Sequence, residues 1–194
     1  MEKKAEHPLL AKAIPAAQQL IRDQHFSLEN LCHALDCSLR ELAEAVGSLD
    51  EMMAHVNGQF MAAFLDHAKG LDAGISDDAE AVVRLNQAWL DYALDHLQQM
   101  KVLLQHRWSP GFERPQWYMD LVAACFVPVE TRLRALAPQA PPEAIRAAAR
   151  GMYAQACGLY FLSMNERATP AGIASRQKVM ELSTRWVIKG LQAG

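Results

Sequence analysis

Two short sequence patterns determine where helices begin in the first third of the chain. In Ser38–Glu41 and again in Ser48–Glu51, a serine is followed three residues later by a glutamate. This pattern is a capping box, in which the two side chains bind backbone N–H groups that have no partner at a helix start. Gly47 lies between the boxes and is typical of a helix end. Only a short helix fits between them, so the chain must turn sharply on each side of it.

The sequence before these boxes predicts two more helices. Ser27 is a typical N-cap residue and predicts a helix over residues 28–35. The dipeptide Asp36–Cys37 then leaves room only for a tight connection. An earlier helix around residues 14–24 has apolar side chains spaced to share one face. These side chains are Ile14, Ala17, Leu20 and Ile21. Two short helices joined by a tight turn are the core of a helix-turn-helix.

The remaining two thirds of the chain predict longer helices and no sheet. Ala, Leu, Gln, Glu, Met and Arg dominate, and these residues favour helices. No stretch shows the sustained period-two alternation that strands require. Helices are expected at about residues 49–69, 76–95, 96–108, 116–136, 142–166 and 170–191. Pro128 lies inside one of them and predicts a kink, because proline lacks the N–H that the helix uses.

The composition is that of a compact globular protein. Of the 194 residues, 51% are hydrophobic and 21% are charged, which supports a core without disulfides or metal. The four cysteines form no C-x-x-C pair, so free thiols in a reducing compartment are expected. No apolar run approaches the roughly 18 residues of a membrane span, and the first residues lack a signal-peptide core. We therefore expect a cytoplasmic protein that does not contact a membrane.

Several segments match a known regulatory pattern. Leu31–Ser38 is similar to an I-A-x-A-x-G-V-S motif, and Ser48–Met52 is similar to the x-S-K-E/D-x-L motif that follows it. Leu42 and Val46 fall between them on positions that are buried in that pattern. These segments resemble the TetR family of bacterial transcriptional regulators. Farther along, Trp89–His96 resembles a segment common in the ligand-binding part of the same family.

The resemblance, which covers about residues 14–55 at motif level, implies an all-α fold with two parts. Residues 1–50 are expected to form a three-helix helix-turn-helix module that binds double-stranded operator DNA. Residues 51–194 are expected to form a larger antiparallel helical domain for effector binding and dimerisation. The expected partners are thus a second copy of the chain, DNA and a small-molecule effector, and no cofactor is expected.

Most residues expected to meet DNA lie on the second short helix and at the starts of its neighbours, and Lys12 lies before the first predicted helix. Helix N-terminal N–H groups bind phosphates, and an arginine binds phosphate or reads a guanine edge. The candidates are Lys12, Ser27, Ser38, Leu39, Arg40, Glu41, Ala43, Glu44 and Ser48. Ordinary roles compete with these contacts, since serines cap helices and Arg40 is spaced to pair with Glu44.

Two further sets of residues are candidates in the C-terminal part. Aromatic and sulfur-containing side chains suit either an effector pocket or a plain core. The pocket candidates are Trp89, Tyr92, Met100, Trp117, Tyr118, Cys125, Met152 and Tyr153. A stripe of small residues allows close helix approach, within the chain or between two chains. With the last helix, it gives the dimer candidates Ala147, Gly151, Ala154, Gly158, Met180, Thr184 and Val187.

Catalytic and metal-binding motifs are absent from the sequence. The seven histidines form no i, i+4 pair and no H-E-x-x-H motif. No G-x-S-x-G, P-loop or G-x-G-x-x-G segment occurs. We therefore expect a protein that is not an enzyme and that has no metal site.

Charge keeps two hypotheses open. Residues 1–55 contain five lysines and arginines against nine aspartates and glutamates, a net charge of −4 in a chain of net charge −3. DNA affinity depends on basic residues that neutralise phosphates. Ala43 and Leu49 also replace an aromatic residue and a lysine that contact phosphates in the family. The first hypothesis is a regulator whose DNA binding is controlled by a small apolar effector. The alternative is a divergent TetR-fold protein that no longer binds DNA and binds a small molecule or lipid.

Overall fold

The computed structural model describes residues 8–165 and 170–193, and this part of the chain is almost entirely helical. Its helices are α1 (Pro8–Arg22), α2 (Leu28–Leu35), α3 (Leu39–Val46), α4 (Leu49–Ala73), α5 (Asp78–Asp95), α6 (Leu97–Gln105), α7 (Gln116–Leu136), α8 (Pro142–Asn165) and α9 (Pro170–Ala193). No strand occurs among these residues, which confirms the all-α prediction. None of these helices is long and apolar enough to cross a lipid bilayer.

The three serines that predict helix starts are N-caps in the structure. Ser27 Oγ accepts a hydrogen bond from the backbone N–H of Asn30 at 3.0 Å, at the start of α2. The box Ser38–Glu41 is complete at the start of α3. The box Ser48–Glu51 begins α4 with reciprocal bonds of 2.7 and 3.1 Å. These bonds are local, so the sequence alone is sufficient to place the helix starts.

Two helices are longer than predicted. α1 begins at Pro8 rather than near residue 14, because proline fits the first turn of a helix, where its missing N–H has no partner to lose. α4 continues through Gly70 to Ala73 instead of ending near residue 69. A glycine inside a helix costs only about 1 kcal/mol relative to alanine, so the surrounding helix formers carry α4 past it.

The chain divides into two compact units. The first consists of the residues up to Ala62 together with His96–Leu121, and the second consists of Ala63–Asp95 with the residues from Val122 onward. The unit that contains α1–α3 is therefore larger than the predicted module of residues 1–50, since it includes α6 and the start of α7. The division of roles between residues 1–50 and 51–194 stays a prediction.

The core of the first unit forms where α1 packs against α2, α3 and α6. The predicted apolar positions lie in it: Ile14, Ala17, Ile21, Leu31, Leu42 and Val46 are buried. Leu20 packs against this core and is partly buried. Two contributions come from far along the chain, since Val102 of α6 and Trp108 after it also pack there. The short helices are therefore stabilised by a segment outside the helix-turn-helix.

The second unit is built on α5, which packs against α8 and α9. Val82, Leu133 and Ile145 are buried in its core. Inside it, Asn86 Nδ2 donates a hydrogen bond to Thr184 Oγ1 at 2.8 Å, and both side chains are buried. Polar groups in a core need such partners, because an unpaired buried group costs about 1–3 kcal/mol.

Asn57 of α4 provides a matched contrast to Asn86. Its side chain is buried, and its Nδ2 has no hydrogen-bond partner in the described part of the chain. Replacing Asn57 by leucine removes this unpaired donor, so we expect the free energy of unfolding to rise by about 1 kcal/mol. Asn86→Leu, which leaves Thr184 without its donor, should lower it by about the same amount. Urea unfolding measures both changes, and equal destabilisation by the two variants would contradict the prediction.

Candidate functional site

The turn between α2 and α3 determines the direction of α3 relative to α2. Asp36 has φ 49° and ψ 50°, in the left-handed region that usually selects glycine. The N–H of Cys37 donates to the carbonyl of Cys32 at 3.1 Å, which closes the end of α2. Burial raises the pKa of the Cys37 thiol, and the adjacent Cys32 thiol raises it further. The Cys37 thiol in this turn is therefore protonated at neutral pH.

One side of α3 faces solvent and carries most of the predicted DNA contacts. Leu42 and Val46 point into the core, and the opposite face is exposed, with Leu39 at 59% of its full surface. The exposed candidates are Lys12, Ser38, Leu39, Arg40, Glu41, Ala43, Glu44 and Ser48, whereas Ser27 is half-buried. The structure thus brings the α3 candidates together on one accessible face. That they contact DNA stays a prediction.

Positively and negatively charged side chains lie next to one another on this face. Arg40 Nε lies 2.8 Å from Glu44 Oε1, and both side chains are largely exposed. The competing sequence interpretation, an i, i+4 pair, is therefore observed. Hydrogen bonds from the side chain and backbone N–H of Ser38 lower the pKa of Glu41, which is fully ionised at neutral pH. The only arginine of α3 is thus flanked by two carboxylates.

A buried cluster of hydrogen bonds links the start of α4 to the residues after α6 within the first unit. Asp50 Oδ1 accepts a hydrogen bond from His106 Nε2 at 2.8 Å, and Asp50 Oδ2 accepts one from the Ser109 N–H at 3.0 Å. Hydrogen bonding to Ser109, reinforced by His106, holds the pKa of Asp50 below its usual value. The His106 ring stands edge-on to Trp108 with 4.6 Å between centroids. Sequence reasoning missed this cluster, because more than 50 residues separate its parts.

Five of the pocket candidates lie in the second unit. The rings of Trp89 and Tyr153 meet edge to face, with centroids 4.8 Å apart. Phe64 contacts Trp89 and Tyr92, and Cys125 packs against the same cluster. Burial raises the pKa of the Cys125 thiol to about 11, so it remains protonated. The fifth candidate, Met152, is buried in the core of the unit.

The other three pocket candidates lie in the first unit. Met100 and Tyr118 are buried, and Tyr118 packs against Trp108. Trp117 is partly exposed and stacks on His55 with centroids 4.9 Å apart. The eight candidates are therefore divided three and five between the two units.

The glycine under Trp117 explains how closely the start of α7 approaches α4. A Cβ atom added at Gly58 would lie 2.7 Å from Trp117 Cζ3. An alanine at position 58 would therefore force the Trp117 ring to move, and no motif in the sequence indicates this contact.

The small-residue stripe of α8 lies on the surface. Ala147, Gly151, Ala154 and Gly158 are all exposed. A Cβ added at Gly151 or Gly158 would meet nothing within 4 Å. Nothing in the described chain covers this face. A helix of a second molecule could therefore pack closely against these small residues.

The prediction for α9 needs correction. Met180 and Thr184 are fully buried, and Val187 is half-buried against the core of the second unit. These positions face α5 and α8 because one stripe of α9 completes the core. The solvent side of α9 carries a different apolar set, namely Val179, Leu182 and Trp186, the last exposed over 68% of its surface.

Comparisons with known proteins place the fold. No protein-family model and no curated protein matches the sequence. A TetR-family transcriptional regulator from Pectobacterium atrosepticum superposes with a TM-score of 0.71 at 18% identity, covering 96% of this chain and 97% of that one. A protein of unknown function from Rhodococcus sp. RHA1 gives 0.70 at 14% identity, covering 97% and 98%. A TetR transcriptional regulator from Streptomyces coelicolor gives 0.64 at 12% identity, covering 94% and 96%. The chain therefore has the fold of the TetR-family transcriptional regulators.

Proposed function

We propose that the protein is a homodimeric, cytoplasmic transcriptional regulator, not an enzyme, whose DNA binding responds to a small apolar effector. The observation that carries the proposal is the fold, shared over nearly the full chain with TetR-family regulators. A helix-turn-helix reads DNA by placing its second helix in the major groove, and α3 occupies that position in the motif. The exposed face of α3 supports this role, because its backbone and side chains are accessible.

Phosphate contacts in this proposal come from helix starts as well as from side chains. The first N–H groups of α3 and α4 attract anions, and Ser38 and Ser48 lie at those starts. Arg40 is the one cation on α3, and Lys12 is exposed on α1. DNA competes with Glu44 for Arg40, since an exposed pair on one helix is weak.

Effector binding is assigned to the second unit. Phe64, Trp89, Tyr92 and Tyr153 provide aromatic faces in contact with one another. Aromatic walls with a few polar edges are typical of pockets for small apolar molecules. We expect the effector to bind one arrangement of this unit more tightly than another. The ratio of these two effector affinities limits how far the effector can change the affinity for DNA.

A dimer agrees with the helix-turn-helix and with the exposed apolar side chains of α8 and α9. Operators bound by helix-turn-helix dimers carry two half-sites about one helical turn apart. The second unit supports the pairing, because α8 has exposed small residues and Phe161, and α9 has the exposed side chains of Leu182 and Trp186.

The alternative, a protein of this fold that no longer binds DNA, is favoured by one specific observation. Arg40 is paired with Glu44, and Glu41 is ionised beside it. A face with more acidic than basic groups repels DNA at long range. In this case the protein would use its second unit to bind a small molecule or lipid without regulating transcription.

Fluorescence anisotropy with DNA from immediately upstream of the gene decides between the two. The titration is done at several salt concentrations beside a scrambled duplex of equal length. A regulator gives selective binding whose affinity falls steeply with salt. Equal and weak binding of both duplexes by the effector-free dimer would favour the alternative, provided that wider genomic fragments are also bound weakly.

Arg40 is the most informative side chain for this test. Arg40→Gln should weaken operator binding about tenfold and reduce the salt slope by about one, since one phosphate or base contact is lost. Glu44→Gln should tighten binding, because it frees Arg40 and removes a negative charge. Arg134→Gln, an exposed arginine on α7, is the matched control and should leave anisotropy unchanged. If Arg40→Gln binds as the wild type does, α3 is not the DNA-reading helix.

A further inference from the structure

The first unit contains a groove to which the proposed function assigns no role. It has a volume of about 430 Å³ and lies between the end of α1, the start of α4 and the length of α6. Its apolar wall consists of Ile21, Phe26, Leu49, Met53 and Val102. This volume falls in the range of about 300–1,000 Å³ that small-molecule sites occupy. The pocket candidates Trp89, Tyr92 and Tyr153 lie in the second unit and take no part in it.

The polar groups of the groove favour an anion. Lys101 of α6 is exposed at its edge and makes no hydrogen bond or ion pair with the described residues. No carboxylate lines the groove. Lys101 is thus the only residue among the lysines, arginines and carboxylates of the described chain that lines the groove.

Amide groups complete the polar side. Gln98 and Gln105 line the groove from α6, and Gln24 lines it from the turn after α1. Gln24 has φ 60°, in the left-handed region that favours glycine. These amides can donate hydrogen bonds to a carboxylate while the apolar wall covers a hydrocarbon chain.

We propose that this groove binds a small amphipathic carboxylate, with its chain against the apolar wall and its carboxylate at Lys101. A charge-assisted hydrogen bond from Lys101 gives the site its preference for an anion. The apolar wall gives it affinity for a chain in place of a bare ion, because burial of hydrocarbon is favourable. The proposal is independent of DNA binding and of the effector site assigned to the second unit.

Sodium decanoate, kept below its critical micelle concentration, is the probe. Titration of the full-length protein is followed by ¹H–¹⁵N NMR, and we expect saturable shifts concentrated in residues 20–26, 49–53 and 98–106. Decyltrimethylammonium, with the same chain and the opposite charge, should give no saturable shifts at these residues at the same concentration. Shifts confined to the second unit, or equal binding of both amphiphiles, would overturn the proposal.

Two variants locate the charge. Lys101→Gln should weaken decanoate binding about tenfold or more, the effect of one lost charge-assisted hydrogen bond. Arg114→Gln removes the same charge from an exposed loop of the same unit and should bind decanoate like the wild type. Both positions are exposed, so both variants should fold, and the NMR spectra check this directly. Unchanged affinity in Lys101→Gln would refute the assignment even if DNA binding were established.

Discussion

Replacing Trp186 by glutamate should convert the proposed dimer to a monomer. Trp186 is the most exposed large apolar side chain among the described residues, and it lies beside Leu182 on the solvent side of α9. Monomeric proteins rarely leave such side chains clustered on one face. Loss of a central tryptophan costs about 2–4 kcal/mol at an interface, so dimerisation should weaken about 100-fold, and the buried charge adds to this. Sedimentation velocity at micromolar concentration measures the change.

Val127→Glu is the matched control for this experiment. Val127 is also exposed, over 54% of its surface, but it lies on α7. We expect that variant to remain dimeric. The monomeric Trp186→Glu variant should also lose operator affinity, because two linked half-site contacts reinforce each other only in the dimer. A wild-type protein that sediments as a monomer, or a Trp186→Glu variant that stays dimeric, would rule out this face as the interface.

Removal of the Asp50 carboxylate should have the largest effect on stability. In Asp50→Ala, His106 and the Ser109 N–H lose their shared acceptor at once, at a site where the side chains of Asp50 and His106 are only 6% and 13% exposed. Each buried donor that is left without an acceptor costs about 1–3 kcal/mol, so the loss of both hydrogen bonds is strongly destabilising. We expect the midpoint of thermal unfolding to fall by about 5–10 °C for a chain of this size. Asp66→Ala, an exposed aspartate on α4, should change it little.

The effect of Asp50 should depend on pH in a defined direction. Its pKa is lowered in the folded state, so the carboxylate stabilises the fold above its unfolded pKa of about 4. This contribution is lost as the pH falls below that value through the lower folded pKa. The difference in unfolding midpoint between wild type and Asp50→Asn should therefore be largest at pH 5–7 and shrink toward pH 3. A difference that stays constant over this range would show that Asp50 acts without its charge.

The helix starts and the core of the first unit were predictable because their causes are local. Ser27, Ser38 and Ser48 bind N–H groups only three residues away. Leu42 and Val46 share one face of α3, and an amphipathic helix buries that face wherever it packs. The sequence did not predict that α1 begins at Pro8, because a proline is compatible both with a break and with the first residue of a helix.

The candidate site was predicted less completely, because its parts are distant along the chain. The exposed face of α3 followed from helical periodicity, but the pairing of Arg40 with Glu44 was only one of two alternatives until the structure was known. The contact of Asp50 with His106 joins residues 56 positions apart. No periodic pattern records such a contact, since it depends on where α6 packs.

The amino-acid sequence by itself determined that this protein is helical, where most of its helices begin and which face of each short helix turns inward. It did so because capping bonds and apolar periodicity act within a few residues. Only the tertiary structure decided which apolar stripe of α9 enters the core. Met180 and Thr184 pack inward and Trp186 faces solvent, because α5 and α8 cover one side of that helix. A helix with apolar residues on two sides holds no local information about which side its neighbours will cover.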